Sequence, residues 1–283
     1  MKTIHIIIFA IIIGIFGTLI FMQFSKAAYL YGGDSGLLGW WRFDDRSTNT
    51  TSTDSSGKNK DATLISIVSG SWVAGRIGNL ALLLDGVADY AHAGTSSQLS
   101  SSFFTASAWF KRNGTGTTAS SGTNGRVAEP IITKGVGEGD ASNLDANFFI
   151  GWLQASRKLA VDFEDTLSGA NHPMDSISVL NATNTWYMVT VTMATSTKQS
   201  NNYRMYINGV LDNSITFPTS TPRGDNRQGF GIGVAVNSSL TATGRCNCTI
   251  DDVRMYNRPL SPAEVYQLYV DGSKRRISNG LNR

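Results

Sequence analysis

The chain has 283 residues, 24 basic and 21 acidic, for a net charge of +3, and only 16% of residues are charged. A balance so close to neutral, with no basic stripe, excludes a nucleic-acid-binding surface. With 29 glycines and abundant Ser, Thr and Asn, the composition suits many short strands joined by turns.

The first stretch reads as an export signal. Lys2 precedes an apolar run from Ile4 to Phe24, and Ser25-Lys26-Ala27 places small residues where a signal peptidase cuts. Residues 1–27 are therefore expected to be a signal peptide, or an N-terminal membrane anchor if uncleaved, since the run is close to a spanning length. The leader carries Lys2 and Lys26 and no acid, so its loss takes the net charge from +3 to +1. Residues from Ala28 onward are expected outside the cytoplasm, secreted or at the cell surface, touching membrane only through an uncleaved leader. Residues 28–36 read as an entry segment.

Strands follow in succession. Leu37-Gly39-Trp41-Phe43 alternates with Leu38-Trp40-Arg42, and residues 44–60 form a polar loop. Residues 62–68 and 80–84 read as strands, Asp85-Gly86 as a hairpin turn, and residues 90–92 as the next strand. Phe104-Ala106-Ala108-Phe110 against Thr105-Ser107-Trp109-Lys111 is the clearest alternation. Residues 113–124 and 135–145 read as loops. Phe148-Ile150-Trp152 is expected to pair with Leu159-Val161-Phe163 across a turn near Arg157. Residues 186–193 and 203–207 are further strands, and Asn208-Gly209 is a type I′ turn into Val210-Leu211. About a dozen short strands without helical crossovers predict an all-β, two-sheet sandwich.

The chain closes on Ile250-Asp251-Asp252-Val253-Arg254-Met255-Tyr256-Asn257-Arg258-Pro259-Leu260-Ser261. In a regular strand Ile250, Asp252, Arg254 and Tyr256 would share one face, and Asp251, Val253 and Met255 the other. Ser261-Pro262-Ala263-Glu264 carries an N-cap, a proline at the first helical position and a capping box. The helix is expected to run from Pro262 to about Val270, with Gly272 as its C-terminal cap. Residues 271–283 read as a tail. Cys246 and Cys248, two apart on a strand, are expected to be two small buried thiols, a Cys-x-Cys bridge being the alternative.

This closing stretch resembles that of the LamG-like jelly rolls, the concanavalin A-like sandwiches related to laminin G and pentraxin modules, whose motif reads roughly I-D-[DE]-V-R-I-Y-N-R-A-L-S. Gly39-Trp40-Trp41-Arg42-Phe43-Asp44, Asp54-Ser55-Ser56-Gly57-Lys58-Asn59, and Gly75-Arg76-Ile77-Gly78-Asn79-Leu80-Ala81 running into Asp85-Gly86-Val87-Ala88-Asp89-Tyr90 agree in order. The resemblance covers about Leu37 to Tyr269. It implies an antiparallel jelly-roll sandwich over residues 37–270 with one short C-terminal helix. It also implies that Asp54 and Asp251, with Asn59 nearby, hold one structural calcium ion. The other reading of these carboxylates is an Asx-turn at Asp54 and arginine pairing at Asp251 or Asp252. Asp85 and Asp89 form a second acidic candidate.

Sugar recognition needs flat aromatic faces beside polar groups. Trp41, Trp109 and Trp186 alternate as core residues do, whereas Trp40, Tyr90 and Trp152 are candidates for a ligand-facing role. Catalysis has little to build on. The Glu-x-Asp-x-x-Glu run of related glycosidases is absent, and Val161-Asp162-Phe163-Glu164-Asp165 has the wrong spacing. His92 and His172 stand beside no nucleophile motif. Arg223-Gly224-Asp225 matches a receptor tripeptide by only three residues. The expected function is non-catalytic binding of a carbohydrate or glycoprotein ligand. A structural or adhesive surface protein comes second and a glycoside hydrolase third.

Overall fold

The computed structural model describes residues 35–46, 49–138, 146–194, 202–217, 219–224 and 227–278. The leader and most of the entry segment lie outside them. Among the described residues no helix is long and apolar enough to cross a membrane.

Two antiparallel sheets face each other. In the first, the spatial order is Val210–Ile215, Tyr203–Ile207, Trp186–Met193, Phe104–Arg112, Asn247–Tyr256, Leu80–Asp85 and Trp72–Ala74, with Leu37–Trp41 paired to the far half of Asn247–Tyr256. The second runs Met174–Asp175, Lys158–Asp162, Phe148–Leu153, Val127–Lys134, Phe230–Ile232, Tyr90–His92, Ala62–Ile65 and Thr51–Ser52. The expected hairpins form in register. Trp152 pairs with Leu159 and Ile150 with Val161. Ile207 pairs with Val210 across Asn208 (φ 52°) and Gly209 (φ 78°), the two positive angles that a type I′ turn requires.

Asp85-Gly86 behaves differently. Leu80–Asp85 belongs to the first sheet and Tyr90–His92 to the second, so this turn carries the chain between sheets instead of closing a hairpin. The Asp85 carboxylate accepts the N–H groups of Val87, Ala88 and Asp89, which accounts for the acid there by the turn alone.

The space between the sheets is filled by inward-facing residues such as Trp41, Phe104, Phe110, Phe148, Ile150, Phe230, Ile250 and Val253. Phe104 and Phe148, from opposite sheets, stack at 5.0 Å. A second cluster lies on the outer face of the first sheet, where Leu260 and Val265 cover Trp109, Met188, Tyr206 and Tyr256. This is why both faces of Phe104–Arg112 are buried despite its strict alternation. Trp186, expected in the core, is only partly buried at the margin of this outer cluster.

The closing strand departs from regular parity. Pairing with Phe104–Arg112 slips between Asp251 and Arg254, and Asp252 takes φ 49°. This bulge lets Ile250 and Val253, three apart, both reach the core. The segment beyond it is fastened as the capping pattern predicts. Glu264 N donates to Ser261 Oγ, and Ser261 N to Glu264 Oε2 at 2.7 Å. The Pro259 segment is pinned by Thr105, whose hydroxyl donates to the Arg258 carbonyl and accepts Leu260 N.

The helix spans Pro262–Ser278, so Gly272 lies inside it rather than capping it. A Cβ at Gly272 would sit 2.8 Å from Ile77 Cδ1 and 2.9 Å from Trp109 Nε1, so the glycine serves close approach to the sheet. Cys246 and Cys248 are bonded to each other, correcting the expectation of two thiols. Their Cα atoms are 5.4 Å apart, within bridging range, because Cys246 lies just before the strand that begins at Asn247.

Candidate functional site

Asp54 and Asp251 do not share a site. Asp54 accepts Trp40 N, Ser56 N, Ser56 Oγ and Lys60 N, so its carboxylate organises its own loop. Burial opposes its charge, yet the bonds from Ser56, Trp40 and Lys60 outweigh it and hold the carboxyl below its ordinary value. Asn59 is exposed at φ 56°, a left-handed turn position that asparagine tolerates.

Asp251 is fully buried, and its Oδ2 accepts Arg76 N and Ile77 N. Burial raises its pKa well above the ordinary value, with Asp252 and Asp44 adding to the rise against those two N–H bonds. The acid that works beside it is Asp44, which accepts Asn79 N and Leu80 N from the same loop. Gly75 and Gly78 make room for this clasp, since a Cβ at either would meet an aspartate oxygen at 3.0 Å or less. The Asp54 oxygens and Asp251 Oδ2 are taken up by backbone N–H groups of two separate loops, an arrangement that does not gather Asp54, Asn59 and Asp251 around one calcium ion. Among the described residues no three His, Cys, Asp or Glu side chains gather as a metal-ligand group.

The three candidate aromatics are scattered. Trp152 is 3% exposed inside the core, which excludes it as a surface platform. Trp40 is half-buried on the outer face of the first sheet, its indole N–H donating to Asp252 at 2.6 Å. The Arg42 and Arg254 guanidinium groups lie 5.4 and 4.3 Å from its ring centroid. Tyr90 is half-buried on the second sheet, and Arg245 stands 4.5 Å over its ring, occupying one face. Trp40 and Tyr90 are thus held by arginines, and no two of the three form a common surface.

The acidic stretch 162–165 draws together groups far apart in sequence. Asp162, fully buried, accepts Ser121 Oγ at 2.6 Å, Asn171 Nδ2 at 3.1 Å, and Phe163 N and His172 N at 2.8 Å. Burial pushes it up to about 6 against these bonds. His172 Nε2 contacts Asp165 Oδ2 at 2.7 Å, while its ring stacks on Phe163. The Ser121 hydroxyl and the His172 ring thus bond to different carboxylates and not to each other, as a nucleophile and its base would. Asp162 and Glu164 are both wholly inaccessible, closed off from any substrate.

Open surface lies beside this cluster, where Leu37–Trp41 begins and Asn247–Tyr256 ends. A groove of about 760 Å³ is lined by residues 100–103 with Leu38, Gln98, Thr166, Gly224 and Asn257. Its walls are held from behind. Asn147 donates to the carbonyls of Ser101 and Arg223, and Thr166 bonds Thr221 through backbone and hydroxyl. Gly224 lets two loops meet, since a Cβ there would lie 2.6 Å from Ser102 Oγ. The side chains of Gln98, Ser102 and Asn257 are hydrogen-bonded to no other described residue. Sequence reading missed this groove, and only the Ser100-Ser101-Ser102 run before a strong strand hinted at it. Asp225 of the Arg-Gly-Asp match lies outside the described residues.

The sandwich is shared with solved structures of low sequence identity. The binding domain of Paraclostridial Mosquitocidal Protein 1 matches with a TM-score of 0.57 at 17% identity, covering 84% of this chain and 52% of that one. Domain 4 of AbnA, a GH43 extracellular arabinanase from Geobacillus stearothermophilus, in complex with arabinotriose, gives 0.54 at 19%, covering 82% and 98%. Trypanosoma rangeli sialidase in complex with sialic acid gives 0.52 at 17%, covering 84% and 33%. The chain thus spans about a third of the sialidase and half of the mosquitocidal binding domain. At these identities the likeness is one of fold. No curated protein matches the sequence. The family model for the concanavalin A-like lectin/glucanases superfamily matches residues 85–266, and the chain belongs to that superfamily.

Proposed function

We propose that the chain is a non-catalytic binding module, exported from the cytoplasm, whose ligand is a carbohydrate or glycoconjugate. The observation that carries this reading is the groove at the loop end, where hydroxyl and amide side chains surround the partly exposed Phe103 on a rigid frame. Sugars are recognised by such a mixture of planar apolar faces and groups that both donate and accept. Arabinotriose in the complex of similar fold, a domain covered almost whole, supports the ligand class. The burial of Asp162 and Glu164 supports a binding role over hydrolysis, because a glycosidase needs two carboxyl groups facing its substrate. The leader, together with the Cys246–Cys248 bond, supports an oxidising compartment.

The test is a glycan array with the purified protein. Saturable binding to a related set of glycans is expected, with no turnover of the bound sugars. A blank array would move the weight to the second reading, adhesion to other proteins. One observation favours that alternative. Ile177, Val179, Val210, Leu211 and Tyr266 are all exposed, along the edge strand Val210–Ile215 and the segments that touch it.

A further inference from the structure

We propose that the groove selects its ligand by charge, accepting a neutral glycan and rejecting the same glycan bearing a carboxylate. This rests on the carbohydrate reading and adds to it the site and the class of sugar.

Among the described residues lining the groove none is charged. Two of the described charged residues next to lining positions are already engaged, and Asp225, beside Gly224, lies outside the described residues. Arg258, beside Asn257, pairs with Glu264 at 2.7 Å. Asp165, beside Thr166, pairs with His172 and takes the N–H groups of Leu167 and Ser168. Arg223 precedes Gly224 but is not part of the lining.

Gln98 and Asn257 each present an amide oxygen beside an amide N–H₂, and Ser102 a hydroxyl, so every one of these groups both donates and accepts. A sugar hydroxyl does the same and can use both halves. A carboxylate only accepts, so it leaves the amide oxygens unmatched and brings a charge to a wall that supplies no counterion. Its lost hydration is then uncompensated. Phe103 and Leu38 supply the apolar contact for a sugar face.

The experiment is calorimetric titration of the full chain with paired oligosaccharides of equal length. The pairs are neutral against uronic-acid oligomers, and lactose against its sialylated form. The expected result is that neutral members bind at least tenfold more tightly than their acidic partners, with affinity unchanged between 50 and 500 mM salt (roughly 13 to 4 Å of screening length). Gln98→Ala and Asn257→Ala should each weaken neutral binding severalfold, and Arg223→Ala should leave it unchanged. Gln98 is exposed, so its replacement keeps the test valid even if a more buried variant fails to fold. Equal or tighter binding of acidic glycans, lost on Arg223→Ala or in high salt, would overturn the charge selection. Glycan binding that survives the groove variants would overturn the site while leaving the carbohydrate reading intact. No binding to any glycan, or groove-dependent binding to unglycosylated protein, would overturn both.

Discussion

Lys134 ends the strand Val127–Lys134 with its side chain fully buried and its ammonium donating to the Gln228 carbonyl. Burial pushes its pKa down to about 7 from an ordinary 10.5. Below about pH 7 both folded and unfolded chains hold this proton, and the whole cost of burying a cation is present. Above it the folded chain releases the proton while the unfolded chain keeps it, so stability should rise with pH through the window from 7 to 10.5, by at most about 1.4 kcal/mol per pH unit. Lys134→Met should remove that slope and raise stability at pH 7, as read from urea midpoints across the window. A slope unchanged in the variant would place the titration elsewhere. At this scale the sequence was partly legible. The Asx-turn reading of Asp54 was correct, because the donors to that carboxylate include its near neighbours Ser56 and Lys60. Asp251 was not legible, since its partners Arg76 and Ile77 lie more than 170 residues away. The parity of Asp252 failed because the bulge inserts a residue that no alternation rule anticipates.

Elements marked by local chemistry came through best. The Asn208-Gly209 turn and the Ser261/Glu264 capping box both depend on residues within a few positions, and both formed as their side chains dictate. The end of the helix did not, because the force acting on Gly272 is tertiary. Trp109 is held between Tyr269, stacked at 5.6 Å, and Arg76, whose guanidinium lies 4.6 Å from its ring. The helix lies on that indole through Gly272, and a glycine at such a spot resembles a C-cap in sequence alone. The distinction predicts a sign. In an exposed helix interior Gly→Ala gains about 1 kcal/mol. Here the added methyl meets Ile77 and Trp109 below 3 Å, so Gly272→Ala should destabilise by about 1–3 kcal/mol and shift the tryptophan fluorescence. A stabilised variant would mean that the helix is not seated on the sheet as described.

At the scale of the whole molecule, the sandwich was legible because short runs such as Leu37–Phe43 and Phe104–Lys111 alternate in sequence and are separated by turn residues, while the groove was not. Its walls come from Leu38, Gln98, Ser101, Thr166, Gly224 and Asn257, six positions spread over the chain that meet only once both sheets have closed. The same closure bears on what holds the protein together. The two-sheet core joins Trp41 near the start to Met255 near the end. The Cys246–Cys248 bridge, by contrast, spans a separation of only two residues. A loop that short removes little chain entropy, roughly 1.6 kcal/mol in the loop-closure estimate, or about 3–6 °C in a domain of this size. Asp54 and Asp251 organise separate loops rather than one ion site. Thermal melts of the protein in calcium, in chelator, and in chelator with reductant should therefore superpose in the first two conditions and fall by only those few degrees in the third. A large loss on chelation would mean that an ion sits elsewhere and carries the fold. A large loss on reduction would mean that the bridge fastens the start of the closing strand to Leu80–Asp85 and Phe104–Arg112, and that the core depends on this pairing more than its burial indicates.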